Sequence, residues 1–215
     1  MIQFFKTYLP FYKRNLIVAI PVVLSQAGQV TVQLADTMMV GHVGTSELAA
    51  ASFANSVYFI GFVLGLGLTF GVTPLVGNAF GQKKFREAAS LLHHSTITNA
   101  FVACILVIIM WCVSYAMPYM GQPSEVVKLA IPYYRILVFS IVPFMLFFTG
   151  KQFIEGVGNT SLAMKITLSA NVVNIVLNYI FIYGKVGFPA YGLNGAGYAT
   201  FIARLWMTQY KDLLK

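Results

Sequence analysis

The chain has 215 residues, of which 58% are hydrophobic and 9% charged, and a mean hydropathy of +0.76. Soluble domains carry about 25% charged residues, so composition excludes a water-soluble globular domain and indicates an integral membrane protein. The formal charge of +8 does not imply a nucleic-acid partner, because the basic residues are spread over short connections between apolar runs, where they set membrane topology.

Residues 1–15, with Lys6, Lys13 and Arg14, lead into an apolar run at 16–40. That run is too long for the core of a signal peptide, about 7–15 residues, so the opening segment is expected to be an uncleaved, interfacial lead-in. Inside the run sits one acid, Asp36. A carboxylate at mid-bilayer costs about 2.5–3.5 kcal/mol, and intramembrane ionisable groups mark ion or substrate paths. At about 100° per residue, Gln26, Gln29, Gln33 and Asp36 fall within an arc of about 80°, giving the first span one polar stripe. Pro21, earlier in the same span, frees a backbone carbonyl and favours a bend.

After the connection at 41–47, the second span (48–76) carries a weaker polar face of Ser52, Asn55 and Tyr58. It also has two small-xxx-small patterns, Gly61/Gly65 and Gly67/Gly71, which permit close helix packing. The third span (90–117) holds Cys104 and Cys112, separated by about 12 Å along a helix and so unable to bridge; both are expected to be small buried hydrophobes. The fourth span (131–148) contains Pro143, a second candidate kink. In the fifth (163–183), Thr167, Asn171, Asn174 and Asn178 fall within an arc of about 60°. The two polar stripes should face each other or a water-filled cavity, since lipid can satisfy neither. The last apolar run (196–210) gives way to Thr208, Gln209, Lys211 and Asp212, short of the ~20 residues a span needs. The expected architecture is an all-α, polytopic bundle of six transmembrane helices over 1–210, with a polar tail at 208–215.

Six spans put both termini on one side. Ten Lys and Arg (Lys6, Lys13, Arg14, Lys83, Lys84, Arg86, Lys151, Lys165, Lys211, Lys215) fall on that side against two (Lys128, Lys185) on the other, so both ends are expected in the cytoplasm. Arg135 and Arg204 fall near or within helices. Asp36 can bind and release a proton or exchange it for Na⁺, and Asn174 and Asn178 can offer carbonyl oxygens to a hard cation or donate to the carboxylate.

The stretch ADTMMVGHVGTSELAAAS around Asp36 resembles the first-helix signature of the multidrug and toxic compound extrusion (MATE) transporters. GNAFGQKKFREA, EGVGNTSLAMK and NIVLNYIFIYGKVGFPAYGLNGAGYAT agree with that family in order and spacing. The resemblance extends over nearly the whole chain, to about Arg204. It implies cation/drug antiport, with Na⁺ or H⁺ as coupling ion and no other cofactor, in the inner membrane of a bacterium. It also implies amphipathic organic cations as substrates, for which Tyr58 and Phe59 offer aromatic surfaces. By the same resemblance Asp36 matches the family's first-helix acid, and Asn174 and Asn178 its polar pair in the fifth helix. Gln33, Gln29, Asn55, Tyr58, Asn171 and Thr167 are the remaining candidates for the cavity wall. Pro21 matches the proline at which the first helix is proposed to bend. Gly41, His42 and Gly44 match the signature turn, where His42 reads as structural.

Two departures remain. Some relatives carry a second acid where this chain has Asn178, so the choice between Na⁺ and H⁺ stays open. Family members have twelve helices in two lobes, and this chain corresponds to the first. It therefore reads as a truncated or fused lobe, or as a half-transporter that needs a second lobe or a second copy. A non-transporting assembly fragment and a lipid-linked sugar flippase of the same superfamily are the rival readings. An enzyme is not expected, because no span carries paired carboxylates, an HExxH or a nucleophile beside a base.

Overall fold

A computed structural model describes residues 2–209, with side chains described from Phe11 onward except Arg14. Tyr210, Lys211, Asp212 and Lys215, on which the expected end of the sixth span and the polar tail rest, lie outside the described residues. Eight α-helices follow in order: α1 (Ile2–Gly41), α2 (Thr45–Phe70), α3 (Val72–Gly81), α4 (Phe85–Ala116), α5 (Ser124–Phe139), α6 (Ile141–Gly156), α7 (Thr160–Tyr183) and α8 (Leu193–Thr208). A 3₁₀ turn, Met117–Tyr119, closes α4, and no strand occurs among the described residues. In hydrocarbon every backbone N–H and C=O must be satisfied within its own segment, which leaves the helix as the way to cross.

Among the described residues five segments are long and apolar enough to cross a membrane, two of them pairs of helices that form one span with a break. Thr45–Gly81 and Ser124–Gly156 are each long and apolar enough to cross, as are Phe11–Gly41, Phe85–Tyr119 and Thr160–Tyr183. Both breaks have a proline behind them. A helical proline clashes with the carbonyl four residues earlier and lacks the N–H that would bind it. Pro74 and Pro143 place that defect at Phe70 and Phe139, the last residues of α2 and α5. Ser140 occupies the second break and turns its hydroxyl onto the Leu137 carbonyl at 2.6 Å. Pro132, inside α5, leaves its helix uninterrupted.

Helix α8, expected as the sixth span, is 16 residues long, or about 24 Å, shorter than the five membrane-length segments, and begins three residues before the expected 196. Elsewhere the helices run past the expected spans. GNAFG and KQFIEG, expected as connections from their glycines and charges, are the last turns of α3 and α6. The true turns are short: His42–Gly44, Gln82–Lys84 and Val157–Asn159. Asn159 caps α7 by accepting from the Leu162 N–H at 3.2 Å. Gly184 ends α7 in the left-handed region, φ 66°, where a Cβ would meet the Ala190 backbone nitrogen at 2.6 Å.

Packing follows the pairs α1 on α7, α7 on α8, α8 on α5 and α6, α2 on α5 and α4 on α6. The main core joins Tyr58, Met110, Tyr134, Met145 and Ile182, and a second cluster forms from Phe144, Phe147, Phe148 and Ile166. Gly61 and Gly65 lie against Met110 and Met145, as close packing requires, whereas Gly67 has open space around it and Gly71 sits at the helix break. The cysteines depart from expectation, since both lie on the exposed outer face of α4, where a thiol meets lipid tails at little cost.

At Gly195 the helices meet backbone to backbone, and an added Cβ would lie 2.6 Å from the backbone carbonyl of Phe181. Backbone cannot yield as a side-chain tip can, so Gly195→Ala is expected to push α8 off α7 and cost about 1–3 kcal/mol. Gly67→Ala, in open space, is expected to leave stability unchanged or raise it by up to about 1 kcal/mol. Thermal unfolding of the two variants beside the parent protein in detergent checks the contrast.

Candidate functional site

The close contact of α1 with α7 brings the two polar stripes together. At Gly28, on α1, a Cβ would sit 2.7 Å from Leu168 and 2.9 Å from the Asn171 amide, so the helices are near contact there. Higher up the pair, Asn178 is fully buried, and its Nδ2 donates to the Asp36 carboxylate in a short hydrogen bond and to Asn174 Oδ1 at 3.0 Å. Asn174 Nδ2 then donates to Thr200 Oγ1 on α8 at 3.4 Å. The result is a hydrogen-bonded line Asp36–Asn178–Asn174–Thr200 across three helices. Asn178 Oδ1 is buried with no hydrogen-bond partner among the described residues. An unpaired carbonyl oxygen beside a carboxylate is the donor chemistry that a hard monovalent cation or a carboxyl proton uses.

The line opens onto a cavity of about 370 Å³. Helix α1 contributes Gln26, Gln29, Gln33 and Asp36, and α2 contributes Asn55, Tyr58, Phe59 and Phe62. The other walls come from Tyr133 on α5, Phe144 on α6, Asn171 and Asn174 on α7, and Thr200 and Arg204 on α8. One side is therefore amide and carboxylate and the other aromatic. Tyr133 donates its hydroxyl to Asn55 Oδ1 at 3.4 Å. Arg204 Nη1 donates to the Tyr58 hydroxyl at 2.6 Å and to Ser140 Oγ at 2.5 Å, with the guanidinium carbon 4.8 Å from the Phe144 ring centre. The break between α5 and α6 thus exposes the Ser140 oxygen that receives Arg204.

Gln29, Gln33, Asn55, Tyr58, Asn171 and Asn174 all line the cavity with Asp36, and Asn178 stands behind the carboxylate. Thr167 departs from the expected wall. It is buried outside the cavity and spends its hydroxyl on the Ala163 carbonyl at 2.9 Å. Ser52 does the same with Leu48 at 2.9 Å, on an exposed face. Pro21 lies off the cavity, and α1 runs through it without a break, its carbonyl accepting from the Ser25 hydroxyl at 2.9 Å. Gly41 ends α1, Gly44 precedes α2, and His42 holds its Nδ1 2.7 Å from the Met38 carbonyl as a local cap.

Tyr133, Phe144, Thr200 and Arg204 are among the cavity residues that carry no stripe signal in the sequence. Arg204 alone had a signal, as a charge within a short apolar run.

The MatE family model matches residues 21–180. The chain is 30% identical to the probable multidrug resistance protein NorM of Pasteurella multocida, over 94% of this chain and 44% of that protein. It is also 30% identical to the multidrug resistance protein NorM of Photobacterium profundum, over 94% and 44%. A solved structure described as an outward-facing conformation of a multidrug resistance MATE family transporter of the MOP superfamily superposes with a TM-score of 0.84 at 28% identity, over 92% of this chain and 43% of that one. The chain thus spans less than half the length of the relatives it matches. The matched region takes in Asp36, Asn174 and Asn178 together with the helices that bring them into contact, and the chain belongs to the MatE family, the multidrug and toxic compound extrusion transporters.

Proposed function

We propose that this chain is the ion-coupling lobe of a multidrug efflux antiporter, in which loading of Na⁺ or H⁺ at Asp36, Asn174 and Asn178 drives export of amphipathic, positively charged organic molecules. The observation that carries this reading is the Asp36–Asn178–Asn174 line with its unpaired Asn178 oxygen, opening into a cavity with one aromatic wall. In that arrangement Asp36 is the charge that the ion neutralises. Asn178 holds the carboxylate in place, and Asn174 passes the same hydrogen-bonded order to α8. A ligand pocket of this kind is usually about 300–1,000 Å³, so the cavity suits a drug-sized molecule.

The relatives are about twice as long as this chain, and the lobe works in this proposal with a second lobe or a second copy that closes the open side of the cavity. Rocking of one bundle against another around a midplane site is the motion that such pairing supports. Efflux is favoured over transport of a lipid-linked pyrophosphate because the cavity holds one guanidinium, that of Arg204. Arg135 lies apart from it, 4.7 Å over the Trp111 ring and bonded to Ser114 Oγ at 3.2 Å.

Reconstituted into vesicles with an imposed Na⁺ or pH gradient, the parent protein is expected to export a fluorescent organic cation, and Asp36→Asn is expected to reduce this to the level of protein-free vesicles. Export that survives Asp36→Asn would overturn the assignment, and the gradient that sustains export identifies the ion. Asn178→Ala removes the donor to the carboxylate and is expected to weaken apparent affinity for the coupling ion about tenfold, about 1.4 kcal/mol.

Both termini are proposed to lie in the cytoplasm of a bacterial cell, with the His42–Gly44 turn outside and the Gln82–Lys84 turn inside. In a Cys104→Ala, Cys112→Ala background, a membrane-impermeant maleimide added to intact cells is expected to label Val43→Cys and to spare Gln82→Cys. The opposite pattern reverses the orientation.

A further inference from the structure

Arg204 faces Asp36 electrostatically across the cavity but makes no direct ion pair with it. The ion pairs among the described residues are Lys84–Glu87 and Lys151–Glu155, so no carboxylate among them lies within 4.0 Å of the Arg204 guanidinium. Asp36 lines the same cavity but is engaged by Asn178. What holds Arg204 is neutral: the Tyr58 and Ser140 hydroxyls, both on Nη1, and the rings of Phe144, Tyr58 and Phe62 at 4.8, 5.6 and 5.8 Å. Those contacts orient the guanidinium without neutralising it. They also leave Nε and Nη2 without a hydrogen bond among the described residues. A guanidinium has five N–H donors in a planar fork that matches a carboxylate through two parallel bonds.

We propose that Arg204 is the specificity-determining residue of this cavity, an anchor for a substrate carboxylate that makes the site prefer amphipathic cations bearing a carboxylate to organic cations without one. The inference rests on the efflux reading for what the cavity does. A purely cationic molecule entering the pocket meets the like charge of Arg204 as well as the attraction of Asp36, in a site partly withdrawn from water. A molecule with a positive group and a carboxylate meets an opposite charge for each: Asp36 on α1 for the one and Arg204 on α8 for the other. Its aromatic body packs between Phe59 and Phe144, which line the same space. Charge complementarity of this sort separates substrates of equal size and hydrophobicity, because the mismatched partner leaves a desolvated charge unpaired.

Rhodamine B and its ethyl ester test this directly, since both carry the same delocalised cation and only the former has a free carboxylate. Binding is followed by fluorescence polarisation with the full chain in lipid nanodiscs, and empty nanodiscs correct for partition into lipid. The parent protein is expected to bind rhodamine B about tenfold more tightly than the ester, about 1.4 kcal/mol. In Arg204→Met the two affinities are expected to converge within about twofold, with the ester binding at least as well as before, while Arg204→Lys keeps part of the preference. The ratio of affinities is indifferent to a general loss of fold, which would weaken both dyes together. Equal binding of the two dyes by the parent protein, or a preference that persists in Arg204→Met, overturns the proposal and leaves the efflux reading standing. If the parent protein binds neither dye, both fall.

Discussion

The organising constraint on this protein is that polar side chains inside a bilayer must find one another. Lipid offers neither donors nor acceptors, so a carboxylate on one helix has to be met by a donor on another. Asp36 and Asn178 stand 142 residues apart in the chain and supply that contact. Much of the local architecture serves its register. The Asn159 cap sets where α7 begins, and the left-handed Gly184 sets where it ends. Gly28 lets α1 approach α7 closely enough for amide and carboxylate to touch. Removing the size restriction at Gly28, or the stop at Gly184, would shift Asn178 along or away from Asp36.

The same constraint explains why part of the site is legible in the sequence. A stripe of Gln26, Gln29, Gln33 and Asp36 in an apolar span repeats with the helical period, and a second stripe repeats in the fifth span, so spacing alone turns both away from lipid, toward each other or a cavity. Periodicity gives the face of a helix but not the depth at which a cavity begins or ends. Thr167 shares a face with Asn178, yet lies 11 residues down the helix, about 16 Å, where the bundle has closed and its hydroxyl turns back to the backbone. Tyr133, Thr200 and Phe144 are illegible for the converse reason. Each is a single position on a helix with no polar repeat, made part of the wall by packing partners that come from elsewhere in the chain.

Composition misleads in a related way at the ends of spans. Glycine, asparagine and lysine in GNAFG and KQFIEG read as turn residues in a soluble chain, but there they form final helical turns that carry the backbone out of the hydrocarbon. Proline is just as dependent on context. Pro74 and Pro143 each end a helix at the position four residues before them, whereas Pro21 and Pro132 sit in unbroken helices. The difference has a functional consequence at Pro143. Its break frees Ser140 to meet Arg204, so a backbone defect becomes one of two hydroxyl supports for the cavity's cation.

Attachment of the helices to the bundle is uneven, and this links the site to the mechanics of the lobe. Only 11% of the most apolar stretch of Phe11–Gly41 is buried, against 56% for Ser124–Gly156. Helix α1 packs on α7 along a face whose buried or half-buried residues include Pro21, Ser25, Gly28, Val32 and Val40, while Gln26 and Gln33 on the cavity side are exposed. For α5 and α6, neutralising one charge would alter a small share of a large apolar interface. For α1, neutralising Asp36 would alter a side-chain hydrogen bond to α7, because Asn178 donates to that carboxylate. Helix α8, which brings Thr200 and Arg204 to the opposite wall, is packed against α5, α6 and α7. The line Asp36–Asn178–Asn174–Thr200 thus ties the α1 wall through α7 to the better-packed α8 wall.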